Sequence, residues 1–192
     1  MTANTAGSRR PQPWQTLVTM LAFLLAMGPA PAEEPARHWR VGIHGGSSDI
    51  VPDLERNVSS QGLALRRRVA SPDWLAAWLP RGIDLELEGM AARLSAENED
   101  AVHLAAGPVL VWRARNAPWL ISGGTRAGWI SDHSLGDQDL GGPLQFTSHI
   151  GAGIVLGRHA TIELQWRHTS NAHLYSDNDG LDVQALGLGW HF

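Results

Sequence analysis

Thr161-Ile162-Glu163-Leu164-Gln165-Trp166-Arg167, followed later by Ala185-Leu186-Gly187-Leu188-Gly189-Trp190-His191-Phe192, is the stretch that decides the fold. Ile162, Leu164 and Trp166 alternate with Thr161, Glu163, Gln165 and Arg167, which is the period of a strand and not of a helix. The same alternation runs through Trp39-Val41-Ile43 against Arg40-Gly42-His44, and through Ile83-Leu85-Leu87 against Asp84-Glu86-Glu88. Each strand therefore has one greasy face and one small or charged face. In a water-soluble sandwich the greasy face packs inward; in an outer-membrane barrel it meets lipid and the polar face fills the lumen. Alternation alone fits both.

Three features favour the barrel. Eight segments can be counted, near 38–46, 60–69, 82–95, 101–114, 117–130, 144–157, 160–170 and 181–192. Many reach the roughly 9–11 residues that a tilted strand needs to cross the hydrocarbon, and eight strands close a barrel narrow enough to be filled by side chains. The chain has 9 Trp, several of them near strand ends, as aromatic girdles require. A terminal aromatic, Phe192, on a last strand is similar to the ends of outer-membrane barrels. The expected fold class is all-β, an eight-stranded antiparallel transmembrane outer-membrane β-barrel.

Residues 1–32 read as an export signal: Arg9 and Arg10 precede an apolar core from Leu17 to Met27, and Ala30-Pro31-Ala32 forms an A-x-A site. That core is too short to span a bilayer, which takes about 20 apolar residues. Residues 33–192 are then the single barrel domain, expected in the outer membrane of a bacterium. The whole chain carries 15 basic and 19 acidic residues for a net charge of -4, with every cation an Arg and no basic stripe beyond Arg66-Arg67-Arg68. Nucleic acid is excluded as a partner on that ground. The absence of Cys removes disulfides, thiolate metal sites and cysteine nucleophiles.

Connection lengths orient the barrel, because short turns face the periplasm and long loops face outward. Arg115-Asn116-Ala117 and Gly157-Arg158-His159 are tight, whereas Ser131–Gly142 and Asn171–Gly180 are long and polar. The connection Ser71–Arg81 carries Trp74, Leu75, Trp78 and Leu79 at helical spacing, which fits either an interfacial amphipathic piece or ordinary loop packing.

Parity then locates the chemistry. On the seventh segment the lipid-facing row is Ile162, Leu164, Trp166, His168 and Ser170; on the eighth it begins at Asp182 and continues to Leu186, Leu188, Trp190 and Phe192. Two antiparallel neighbours joined by the 171–180 loop bring His168, Ser170 and Asp182 together on the outer surface at the extracellular rim. A nucleophilic Ser, a His to take its proton and a carboxylate to orient that His are the parts of an acyl-transfer triad, recognised by geometry and not by order in the chain. Polar residues at a strand end are also ordinary rim residues, since even charges cost only about 0–1 kcal/mol there.

His168-Thr169-Ser170-Asn171-Ala172, followed by Asn178-Asp179-Gly180-Leu181-Asp182, resembles the H-x-S-N-A and N-x-G-x-acid signature of the lipid A 3-O-deacylase (PagL) family. A weaker resemblance extends along the barrel, including Leu144-Gln145-Phe146 and Ile150-Gly151. The resemblance implies hydrolysis of the ester at position 3 of lipid A, with release of a 3-hydroxy fatty acid. It implies His168 as general base, Ser170 as nucleophile and Asp182 as third member. Asn171 corresponds to the residue associated with the oxyanion hole, and Asn178 and Gly180 to the supporting loop. It implies lipid A and outer-membrane lipids as partners, no cofactor and no metal, and is compatible with a homodimer. Two residues depart from the family pattern: the acid is Asp182 where Glu is usual, and the bulky His173 follows Asn-Ala.

The other motifs are weaker. No H-E-x-x-H or G-x-S-x-G occurs. Asp177-Asn178-Asp179-Gly180 fails as a calcium loop, because aligning Gly180 to the sixth position puts Tyr175 first and Leu186 twelfth, so it reads as a turn. Gly151-Ala152-Gly153 lies inside an alternating strand and is no dinucleotide fingerprint. Glu86, Glu88, Arg113, Glu163 and Arg167 fall on the lumen face, where an ionic network is expected. Two alternatives remain: a non-catalytic barrel, structural or adhesin-like, which tolerates loss of Ser170, and a soluble sandwich, which extracts without detergent.

Overall fold

The computed structural model describes residues 39–48, 58–80 and 82–192. The expected leader, 1–32, lies outside the described residues. Eight long strands form one closed antiparallel barrel: β1 (Trp39–Ser47), β2 (Val58–Val69), β3 (Ile83–Ala96), β4 (Glu99–Arg113), β5 (Trp119–Ile130), β8 (Leu144–Leu156), β9 (Ala160–Ser170) and β10 (Leu181–His191). Each bound falls within about two residues of its expected place, as the strand-period pattern allows. β10 closes onto β1 in the register Val41↔Trp190 and Gly45↔Leu186, so neither terminal strand leaves an unpaired edge. In hydrocarbon that closure is obligatory, because an unpaired backbone amide has no water to bond.

Which face is greasy on the outside decides between the two architectures. Ile43, Leu63 and Ile150 point outward at 56%, 58% and 60% exposure, whereas Arg66, Arg126 and Glu163 point inward at 2%, 0% and 3%. A soluble sandwich would reverse this pattern. The inward face is layered. At the end carrying the long loops, Val58, Leu94, Ile130, Leu135, Leu140, Leu181 and Val183 form an apolar plug. At the end with the tight turns, Val109, Val111 and Leu120 form a smaller one, with Val155 against it.

Between the plugs lies the expected ionic network. Glu88 pairs with both Arg66 and Arg126, and Arg113 bridges Asp84 at 2.6 Å and Glu86 at 2.5 Å. Glu163 accepts from Arg40 at 2.9 Å, Ser122 at 2.5 Å and Gln165 at 2.7 Å. Arg167 differs from the expectation in its partner, since its Nε donates to Gln165 Oε1 at 2.9 Å instead of to an acid. Buried charges are tolerable only when paired and hydrogen-bonded, and most of these are.

Two connections differ from their plain loop reading. Within Ser131–Gly142 a small hairpin forms, β6 (Ser134–Leu135) with β7 (Gln138–Asp139), and its Leu135 and the following Leu140 enter the apolar plug. Among the described residues of the 71–81 connection one helical turn forms, α1 (Asp73–Ala76), and Trp74 and Trp78 stand 71% and 84% exposed. Two exposed Trp favour the interfacial amphipathic piece over ordinary loop packing.

Candidate active site

The outward row of β9 ends in Trp166, His168 and Ser170, and β10 begins with Leu181-Asp182. The strand register places Asp182 directly across from His168, with Thr169 across from Leu181. Parity put these residues on one face, and pairing makes the contact: His168 Nδ1 lies 3.0 Å from Asp182 Oδ1. An ionised carboxylate accepts only, so Nδ1–H is the donor in this bond, and in the neutral ring Nε2 is then the acceptor. Asp in place of the usual Glu therefore still reaches the imidazole. The pair is half open to its surroundings, the His168 and Asp182 side chains being 52% and 29% exposed.

Ser170 is the last residue of β9, two positions along on the same face, paired with Phe146 of β8. Continuing the β9–β10 register by one residue sets Gly180 opposite Ser170. Gly180 has φ +69°, and a Cβ built on it would lie 3.1 Å from His168 Cε1 and 3.8 Å from Nε2. The imidazole thus leans over the Gly180 backbone, towards the level of Ser170. Glycine is needed there for both the left-handed backbone and the ring. Gly180→Ala is expected to cost about 1–2 kcal/mol of stability from the backbone alone and to displace the ring; thermal unfolding together with ester turnover measures both parts.

Asn171 is fully buried and holds the loop together. Its Nδ2 donates to Leu140 O at 2.8 Å and to Asp177 O at 2.5 Å, and its backbone N–H donates to Asn178 Oδ1 at 3.0 Å. The residue expected at the oxyanion hole, Asn171, thus has all three of its N–H groups bonded within the two loops, one of them to Asn178 of the expected supporting loop. Asn171→Ala removes two side-chain bonds, one of them to the carbonyl of buried Leu140, and is expected to cost about 1–3 kcal/mol, read as a lower melting point and faster proteolysis within 171–180. Beyond it the chain turns sharply: Leu174 N–H bonds Asn171 O at 3.1 Å, and Ala172 and His173 both take positive φ, +53° and +63°. That is the pattern of a mirror-image turn, which costs strain in residues other than Gly, Asn and Asp.

Sequence reasoning missed the neighbouring loop as a clamp on the site. Asp139 N donates to Asp179 Oδ2 at 2.8 Å, Asp179 N donates to Asp139 O at 3.1 Å, and Leu144 N donates to Tyr175 Oη at 3.4 Å. Gly141, at φ +77°, lies so close that a Cβ would overlap Asp177 O. The only trace in the sequence is the glycine pair Gly141-Gly142 opposite a loop rich in Asn and Asp. The arrangement as a whole is a His held by a carboxylate on the outward face, with a Ser two residues further along the same strand and a left-handed turn at Ala172–His173 beyond it. Its parts can transfer an acyl group without a metal or cofactor.

Comparison with known proteins places the chain in a family. The family model for lipid A 3-O-deacylase (PagL) matches residues 60–191. The lipid A deacylase PagL of Bordetella bronchiseptica is 33% identical over 94 residues, covering 44% of this chain and 53% of that protein. The Pseudomonas aeruginosa lipid A deacylase PagL is 35% identical over 66 residues, covering 34% of this chain and 38% of that one. These alignments span about half the relatives' length or less. A crystal structure of the outer membrane enzyme PagL superposes with a TM-score of 0.64 at 21% identity, covering 78% of this chain and 97% of that one. Outer membrane protein Ail of Yersinia pestis does so with a TM-score of 0.50 at 13% identity, covering 81% of this chain and 99% of that one. Those two likenesses are of fold. With its closed barrel, the match over residues 60–191 makes this chain an outer-membrane protein belonging to the lipid A 3-O-deacylase (PagL) family.

Proposed function

We propose that this chain is an outer-membrane esterase that removes the 3-O-linked 3-hydroxyacyl chain from lipid A, with His168, Ser170 and Asp182 as its triad at the extracellular rim. The observation that carries this is the 3.0 Å His168–Asp182 hydrogen bond on the lipid-facing side of the barrel, beside Ser170. The first described residue, Trp39, pairs with Phe192 at the end of the barrel that carries the tight turns, and the long 171–180 loop that follows Ser170 belongs to the opposite end, which supports a rim site among the long loops. In such barrels that end faces outward. Lipid A occupies the outer leaflet, with its primary esters near the headgroup boundary, so a rim site meets the bond without extracting the lipid.

His168 Nε2 takes the Ser170 hydroxyl proton as Oγ attacks the ester carbonyl. The tetrahedral intermediate collapses as His168 returns that proton to the departing sugar 3-oxygen, leaving an acyl-serine. Water, deprotonated by His168, then releases the 3-hydroxy fatty acid and restores the serine. Asp182 keeps the imidazole in its Nδ1–H tautomer and stabilises the imidazolium. With Asn171 committed to the loop, the amides of Ala172 and His173 in the strained turn supply the oxyanion donors, worth about 3–4 kcal/mol in comparable sites. The test is release of 3-hydroxy fatty acid from lipid A micelles by the purified barrel. Release from wild type and not from His168→Asn supports the assignment, and equal release from both contradicts it.

A further inference from the structure

Asp182 Oδ1 has a second donor besides His168: the indole Nε1–H of Trp166, at 3.2 Å. Trp166 pairs with Gln184, so it reaches Asp182 diagonally across the β9–β10 ladder from the position just below His168. Diagonal neighbours about 7–8 Å apart are within range of an aromatic side chain. The indole is 54% exposed on the lipid-facing side, and its face adds to the greasy belt while its N–H is turned to the carboxylate.

That second bond bears on the departure from the family's usual acid. An Asp carboxylate on an open rim, tied only to the ring it must orient, has nothing to stop it swinging away, and the ring would go with it. We propose that Trp166 is a positioning residue: its indole N–H fixes the Asp182 carboxylate so that the shorter acid holds His168 as a longer one would. The inference rests on the triad assignment above. It also separates Trp166 from a girdle tryptophan, whose ring alone matters and which phenylalanine replaces at little cost.

The experiment measures kcat and KM for lipid A in mixed micelles for wild type, Trp166→Phe, Asp182→Glu and the double variant, with Trp112→Phe as a girdle control at the other end of the barrel. Trp166→Phe keeps the apolar bulk and is expected to lower kcat about tenfold, the effect of one lost hydrogen bond to a charged group, with KM within about twofold. In the Asp182→Glu background the same substitution is expected to cost less than about twofold, because the longer acid needs no tether. An unchanged kcat in Trp166→Phe, a loss confined to KM, or an equal loss in both backgrounds overturns the proposal. A second readout is independent of turnover. The Trp166 indole N–H resonance, assigned by its disappearance in Trp166→Phe, is expected to move in Asp182→Asn and stay in place in Asp84→Asn. No movement in Asp182→Asn overturns the positioning role whether or not the barrel hydrolyses lipid A. An inactive wild type whose indole resonance does respond counts against the deacylase assignment alone.

Discussion

Replacing Ser170 with alanine is expected to lower the rate of lipid A ester hydrolysis by on the order of ten-thousandfold, the cost of disabling a triad that works as a unit. The loss should fall on kcat and leave binding nearly intact, because the alanine side chain keeps the outward face of β9 and disturbs no hydrogen bond among those that hold the loop. Asp182→Ala should cost less, since it removes the orienting group while leaving nucleophile and base in place. Single-turnover assays in detergent, with the folded fraction matched by heat-modifiable gel mobility, measure both. A Ser170→Ala barrel that retains more than about a tenth of wild-type turnover would remove Ser170 as the nucleophile.

The second large effect lies inside the barrel. Glu163 is 3% exposed and accepts from Arg40, Ser122 and Gln165, with Arg66 at 3.3 Å. Glu163→Leu removes the acid that pairs with Arg40 among the described residues and one of the two that pair with Arg66, leaving buried cations undercompensated. Breaking one partner of such a pair costs about 3–5 kcal/mol. The expected result is a correspondingly lower unfolding midpoint in urea with micelles, little altered by added salt because the site is shielded from it. A loss below about 1 kcal/mol would mean that the interior is wet enough to rehydrate both guanidinium groups.

Much of this architecture was legible before any coordinates, for a definite reason. Period-two alternation over many strands is a strong signal, and the greasy positions Ile162, Leu164 and Trp166 of β9 and Leu186, Leu188 and Trp190 of β10 also carried the parity that put His168, Ser170 and Asp182 on one face. The ambiguity between sandwich and barrel was real, and it was resolved only by seeing Ile43 outside and Arg66 inside. The unseen parts are those with no period. The β6–β7 hairpin has two residues per strand, too few to alternate detectably. The bond from Asn171 to Leu140 O joins residues 31 apart through a carbonyl, a group every residue has. The signature motif suggested oxyanion chemistry for Asn171, whereas its environment uses all its donors to hold two loops together. The reach of Trp166 to Asp182 is a diagonal contact that depends on which side chain leans across the ladder, and parity says only that both face outward.

The most direct test of the central claim is mass spectrometry of lipid A from Gram-negative cells expressing this chain, beside cells expressing Ser170→Ala at equal outer-membrane abundance. Loss of one 3-hydroxyacyl mass from lipid A with the wild type alone is the predicted result. Unchanged lipid A with both proteins, repeated on detergent-solubilised barrel and purified lipid A, would contradict it and leave a non-catalytic barrel as the account of this fold.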